Sequence, residues 1–157
     1  MFPDNTVLIN LGYLGRISLI GQLFPRRHWC ATVSAECRQS ARAEGLARLH
    51  VEAAAVFGEP LRPEGPEHVD IRQMLDELRG PGDLLTAHLG EVETIAIIDR
   101  RGIPAVFVTD DHAAGRMAIA RDIQVASTWR LLKLAHLSPD PPSGGGVRAR
   151  LDKGSAP

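Results

Sequence analysis

The stretch GEVETIAIIDRRGIPAVFVTDDHAAGRMA, residues 90–118, decides the fold. It opens on a helical segment carrying Glu91 and Glu93 in its first turn. The apolar run AVFV at 105–108 follows, and it passes straight into Thr109, Asp110 and Asp111. The pattern predicts a helix over 91–101, closed by Gly102, and a buried strand over 103–109. Ligands in open α/β sheets bind beyond the carboxyl ends of the strands, where these two acids fall. The same residues therefore point to an architecture and to the place where its chemistry sits.

Working toward the N-terminus, residues 67–79 form an amphipathic helix. Ile71, Met74, Leu75 and Leu78 recur at i, i+3, i+4 and i+7, and Gly80-Pro81-Gly82 stops the run. Residues 61–66 are a loop with two prolines. Two Ala-rich helices are predicted over 33–45 and 46–57. Thr32 or Ser34 would cap the first and put Glu36 in its first turn. Residues 28–32 read as a strand after a turn at Pro25. Residues 6–22 read as two short helices parted by Gly12 and Gly15, and residues 1–4 as the end of a first strand. On the other side of the opening stretch come a helix over 112–122, a strand over 123–126 and a helix over 128–136. Alternating strands and helices imply a parallel sheet with helices on both faces.

Length and composition are consistent with this. A chain of 157 residues is one domain, and 44% hydrophobic residues make it globular. The last segment, SPDPPSGGGVRARLDKGSAP, has few apolar residues and clustered Pro and Gly. The expected organisation is a folded domain over 1–137 and a disordered tail over 138–157. With 18 basic and 19 acidic residues the net charge is -1, which excludes a global basic field for nucleic acid. Any nucleic-acid contact must be local or use a metal's charge. Cys30 and Cys37 lack zinc-site spacing and read as buried thiols. Asp4 and Asn5 interrupt the N-terminus before any apolar run, and Asn10, Gly12, Gly15 and Arg16 break the run from Val7. Neither a signal peptide nor a membrane span is expected, and the location expected is cytoplasmic.

Carboxylates recur at strand ends and helix starts: Asp4, Glu36, the pair Glu91 and Glu93, and the pair Asp110 and Asp111. Each has an ordinary reading, because acids favour the positive end of a helix. Glu93 resists it, since it lies on a helix apolar nearly all round. A buried carboxylate must be paired or bind a cation. One of Asp110 and Asp111 is expected to cap the next helix. Parallel strand ends converge on one edge, and converging acids need a counter-charge that Arg116 alone cannot supply. Oxygen ligands without a His/Cys set suit Mg²⁺ or Mn²⁺. Such a cation activates water and neutralises phosphate charge in phosphodiester hydrolysis. His112, near the acids, reads as a helix-surface residue and Trp29 as core. A haloacid-dehalogenase phosphatase would want a second Asp in Asp4-Asn5-Thr6. A receiver domain would want a Lys between Arg101 and Lys133.

These residues resemble the PIN-domain nucleases, in the VapC-like toxin branch with the pattern GExEAIxxA…DD…R…A. Here it reads Gly90-Glu91-Val92-Glu93-Thr94-Ile95-Ala96, then Asp110-Asp111, Arg116 and Ala118. Asp4-Asn5-Thr6-Val7-Leu8-Ile9 resembles the family's opening, with one residue inserted. Val33-Ser34-Ala35-Glu36 resembles its Val-x-x-Glu turn, and Val125-Ala126-Ser127-Thr128 with Leu131-Leu132 its close. Ser127 stands where the family has glycine, and Thr94 where it more often has alanine. The resemblance spans residues 2–136. It implies a three-layer α/β/α sandwich around a central parallel sheet. It also implies a Mg²⁺- or Mn²⁺-dependent endoribonuclease, often the toxin of a type II toxin-antitoxin pair with a small antitoxin protein. By position Asp4, Glu36, Glu93 and Asp111 would be catalytic, with Asp4, Glu93 and Asp111 on the metal. Asp111 is preferred over Asp110 because it lies two residues after Thr109. Thr6 and Arg116 would meet substrate, Arg116 touching phosphate or pairing with a carboxylate, and Glu91 and Asp110 would support. A non-catalytic PIN-like RNA- or protein-binding module and a housekeeping RNA-processing nuclease are the alternatives. Exposed apolar helices allow a homodimer.

Overall fold

The structure is a computed structural model that describes residues 1–137; the tail expected over 138–157 lies outside the described residues. Its sheet has three short parallel strands, β1 (Phe2–Pro3), β2 (Val106–Val108) and β3 (Gln124–Ala126), in that spatial order. Phe2 lies opposite Phe107 across the first pair, and Phe107 opposite Val125 across the second. Both phenylalanines are fully buried, and burial of such a side chain contributes about 1.5–3 kcal/mol. The ladders run one residue past the strands. The Asp4 N–H donates to the Val108 carbonyl at 2.9 Å, and the Thr109 N–H to the Ala126 carbonyl at 2.9 Å. Asp4, Thr109, Asp110 and Asp111 thus leave the sheet together at its carboxyl edge.

Eight helices surround this sheet among the described residues. They are α1 (Asn5–Tyr13), α2 (Ser18–Leu23), α3 (Ala31–Ser40), α4 (Leu49–Phe57), α5 (Glu67–Leu78), α6 (Leu89–Arg100), α7 (His112–Ile119) and α8 (Thr128–Leu137). The break expected between the first two helices falls at Gly15, whose φ of 61° is a conformation glycine takes without penalty. Helix α6 packs against α3, α5 and α7. Its residues from Val92 to Ile98 are all buried, as an apolar circumference demands. The segment 61–79, which carries no motif, is bound to α6 by charge. Buried Glu67 accepts two hydrogen bonds from Arg101, at 2.6 and 2.8 Å, and Arg101 also donates to the Arg62 carbonyl. Trp29 is core, as expected: it stacks on Phe57 and its Nε1 donates to the Gly58 carbonyl at 2.9 Å.

Several expectations are corrected. Residues 28–32 form no strand; a single parallel bridge joins Cys30 to Leu61, and helix α3 begins at Ala31. Neither Thr32 nor Ser34 caps that helix. Its N-cap is Cys30, which has no side-chain cap bond. The Glu93 carboxylate, from α6, instead accepts the free Thr32 N–H at 3.0 Å and the Thr32 hydroxyl at 2.6 Å. A helix start needs acceptors for its first N–H groups, and a distant side chain supplies one here. With the helix starting earlier, Glu36 falls in its second turn rather than its first. Helix α3 also ends sooner than Gly45, and α4 begins three residues after position 46.

Candidate metal centre

Asp4 follows β1 and caps α1. Its Oδ1 accepts the Val7 N–H at 2.8 Å, and its Oδ2 accepts the Thr109 hydroxyl. It is 1% exposed. Burial pushes its pKa up to about 6, against the lowering effect of those two hydrogen bonds, and the charges of Glu91 and Asp110 add to the rise. Glu36 reaches the same place from α3. Burial, then repulsion from Glu91, Asp4 and Glu93, raises its pKa to about 7. Glu36 lies so close to α6 that a Cβ on Gly90 would come within 2.8 Å of its Oε2. Glycine at position 90 lets the acid and the helix approach.

Asp111 follows β2 and caps α7. Its Oδ1 accepts the Ala113 and Ala114 N–H groups at 2.7 and 2.8 Å, leaving Oδ2 turned away from the helix. That Oδ2 lies 3.8 Å from His88 Nδ1. His88, Glu91 and Asp111 each present one donor atom, and the three atoms lie within 4.8 Å of one another. This group could hold a metal ion. Glu91 is the acid common to every part of the site: its charge bears on both Asp4 and Glu36, and it belongs to the triad with His88 and Asp111.

The other residues named from the sequence fall around this centre. Glu93 is buried as expected, but both its oxygens are engaged by Thr32. Asp110 is the anchor of α8: it accepts the Thr128 N–H at 2.9 Å, the Thr128 hydroxyl at 2.6 Å and the Asn10 amide at 3.1 Å. The expectation that one of the two aspartates caps the next helix is met by Asp111, and Asp110 holds a second helix. Thr6 is exposed in the first turn of α1. Arg116 is exposed in the last turn of α7 and has no ion pair among the described residues. His112 is exposed, as expected. The residue that sequence reasoning missed is His88. No spacing rule marked it, because His88 lies outside α6 in a left-handed backbone conformation.

Carboxylates with one imidazole suit divalent first-row cations. Asp4 and Glu36, titrating near neutrality, would give up their protons to such a counter-charge. No helix among the described residues is long and apolar enough to cross a membrane. Comparison with known proteins yields no match: no protein-family model, no curated protein and no solved structure is similar to this chain.

Proposed function

We propose that the chain is a divalent-metal-dependent endoribonuclease of PIN type, with the α/β/α layering that this family has. The observation that carries the reading is that Glu91 links two groups of acids: its charge bears on Asp4 and Glu36, whose pKa values rise to about 6 and about 7, and it lies in one triad with His88 and Asp111. Mutually repelling acids at a ligand-binding edge are costly without a cation to gather them. Glu91 and Asp111 would hold the ion, with Asp4 and Glu36 as the neighbouring acids. When bound, Mg²⁺ or Mn²⁺ lowers the pKa of water and neutralises charge on the phosphate under attack. Glu36, with its raised pKa, takes and returns the proton. Arg116, exposed and without an ion pair among the described residues, is available to phosphate. The test is cleavage of a single-stranded RNA with Mn²⁺ by the wild type and by Asp4→Asn and Asp111→Asn, each checked for fold by circular dichroism. Loss of cleavage by folded variants supports the proposal; undiminished cleavage by either one ends it. Growth arrest on expression, relieved by co-expressing the neighbouring gene, would mark the toxin of a toxin-antitoxin pair.

The engagement of both Glu93 oxygens by Thr32 favours one second reading, a PIN-like module that binds RNA without cutting it. RNA binding with no calorimetric signal for Mn²⁺ would select it.

A further inference from the structure

His88 belongs to neither the acidic set nor the motif that suggested it. It precedes α6 with a φ of 62°, a left-handed conformation uncommon outside glycine. Its Nδ1 faces Asp111 Oδ2 at 3.8 Å. That separation is too long for a hydrogen bond. It lies within the span of two donors on one cation, about 3 Å when adjacent and about 4.2 Å when opposed for bonds near 2.1 Å. Asp111 Oδ1 is committed to the Ala113 and Ala114 N–H groups, so Oδ2 is the oxygen left for a ligand. Glu91 closes the triad three residues on from His88.

We infer that His88 is a nitrogen ligand which turns this centre into a transition-metal site, selecting Mn²⁺ and its first-row neighbours over Mg²⁺. The inference rests on the metal-dependent reading above and deepens it. Mg²⁺ holds its waters and prefers an all-oxygen shell, whereas imidazole binds first-row transition ions well. A triad of two carboxylates and one imidazole therefore gains little for Mg²⁺ and more for a first-row transition ion, Mn²⁺ gaining least among these.

Pulsed electron paramagnetic resonance of the full chain loaded with Mn²⁺ reads this ligand directly. The wild type should show nitrogen hyperfine coupling from one imidazole. His88→Asn, which suits the left-handed backbone, should lose that coupling, and His112→Asn should keep it. By calorimetry His88→Asn should weaken Mn²⁺ binding clearly more than Mg²⁺ binding. Absence of nitrogen coupling in the wild type, or its persistence in His88→Asn, overturns the inference; so does an equal loss for the two ions. The wild-type spectrum decides even if the variant fails to fold. Mn²⁺ bound without nitrogen coupling refutes His88 alone and leaves the nuclease proposal standing. Nitrogen coupling without RNA cleavage does the reverse.

Discussion

The Thr109 hydroxyl donates to the Asp4 carboxylate from 105 positions along the chain, and the same oxygen accepts the Asp111 N–H at 3.0 Å. One buried hydroxyl thus joins the ends of β1 and β2 and sets the spacing of two acids. Thr109→Val keeps the shape but leaves Asp4 Oδ2 buried without its donor. The expected cost is about 1–3 kcal/mol in urea unfolding, with weaker Mn²⁺ binding. Thr109→Ser should restore most of both. A valine variant as stable as the wild type would show that the bond does not organise the site.

Asp4 and Glu36 titrate at about 6 and about 7 in the folded chain, above their ordinary values of 3.8 and 4.5. The folded state therefore binds more protons than the unfolded state between those limits, and these groups lose stability as pH rises through the window. Their contribution is complete below about pH 4 and gone by about pH 8. At roughly 1.4 kcal/mol per unit the effect is on the order of 3 kcal/mol for Asp4, and for the partly exposed Glu36 solvent screening makes it smaller than its shift alone implies. His28 and His50, held below their usual range by burial, act in the opposite direction, so the comparison needs a matched variant. In EDTA, Glu36→Gln should gain stability over the wild type as pH rises from 5 to 8. Saturating Mn²⁺ should erase that gain. A flat difference in calorimetric melting across the range would contradict the raised pKa.

Asp110 and Asp111 are neighbours in sequence with different duties. Asp110→Asn removes one of the oxygens that hold Thr128 and Asn10. It should destabilise by about 1–2 kcal/mol while sparing cleavage per folded molecule. Asp111→Asn keeps an oxygen for the α7 cap and should cost under about 1 kcal/mol, yet lose Mn²⁺ binding and cleavage. Thermal melts and calorimetry on the pair separate the roles. The opposite ranking would exchange them.

Gly90 faces Glu36 Oε2 and Val33 Cγ2, which a Cβ would meet at 2.8 and 3.1 Å. Gly90→Ala should therefore push the Glu36 carboxylate off the site and crowd Val33, at a net cost of about 1 kcal/mol, because alanine's better helix propensity offsets part of the overpacking. Adding Glu36→Ala should recover much of the stability and none of the cleavage. An alanine variant with wild-type melting temperature would mean that the helix and α3 are not in close register.

Periodicity and turn chemistry are local properties, and they made most elements legible. The apolar circumference of α6, the glycine break after α1 and the acids beyond β2 all follow from spacing alone. The segment 28–32 failed for a physical reason. Its β-like run lies where Glu93 supplies an acceptor to the Thr32 N–H, and a helix start with a partner prevails over strand propensity. The same bond explains Glu93. A buried acid in sequence needs a partner, and its partner proved to be the start of another helix.

The sequence by itself determined that acids gather at the carboxyl edge of a parallel sheet, because strand polarity and residue order follow directly from the chain. Only the tertiary structure decided how those acids divide their work. Which oxygens are consumed by helix ends depends on how α3, α7 and α8 dock. Those bonds occupy Glu93 and Asp110, and they leave Asp111 Oδ2 open beside Glu91 and His88. Hydrogen-bond satisfaction is a property of three-dimensional neighbours, and no one-dimensional spacing contains it.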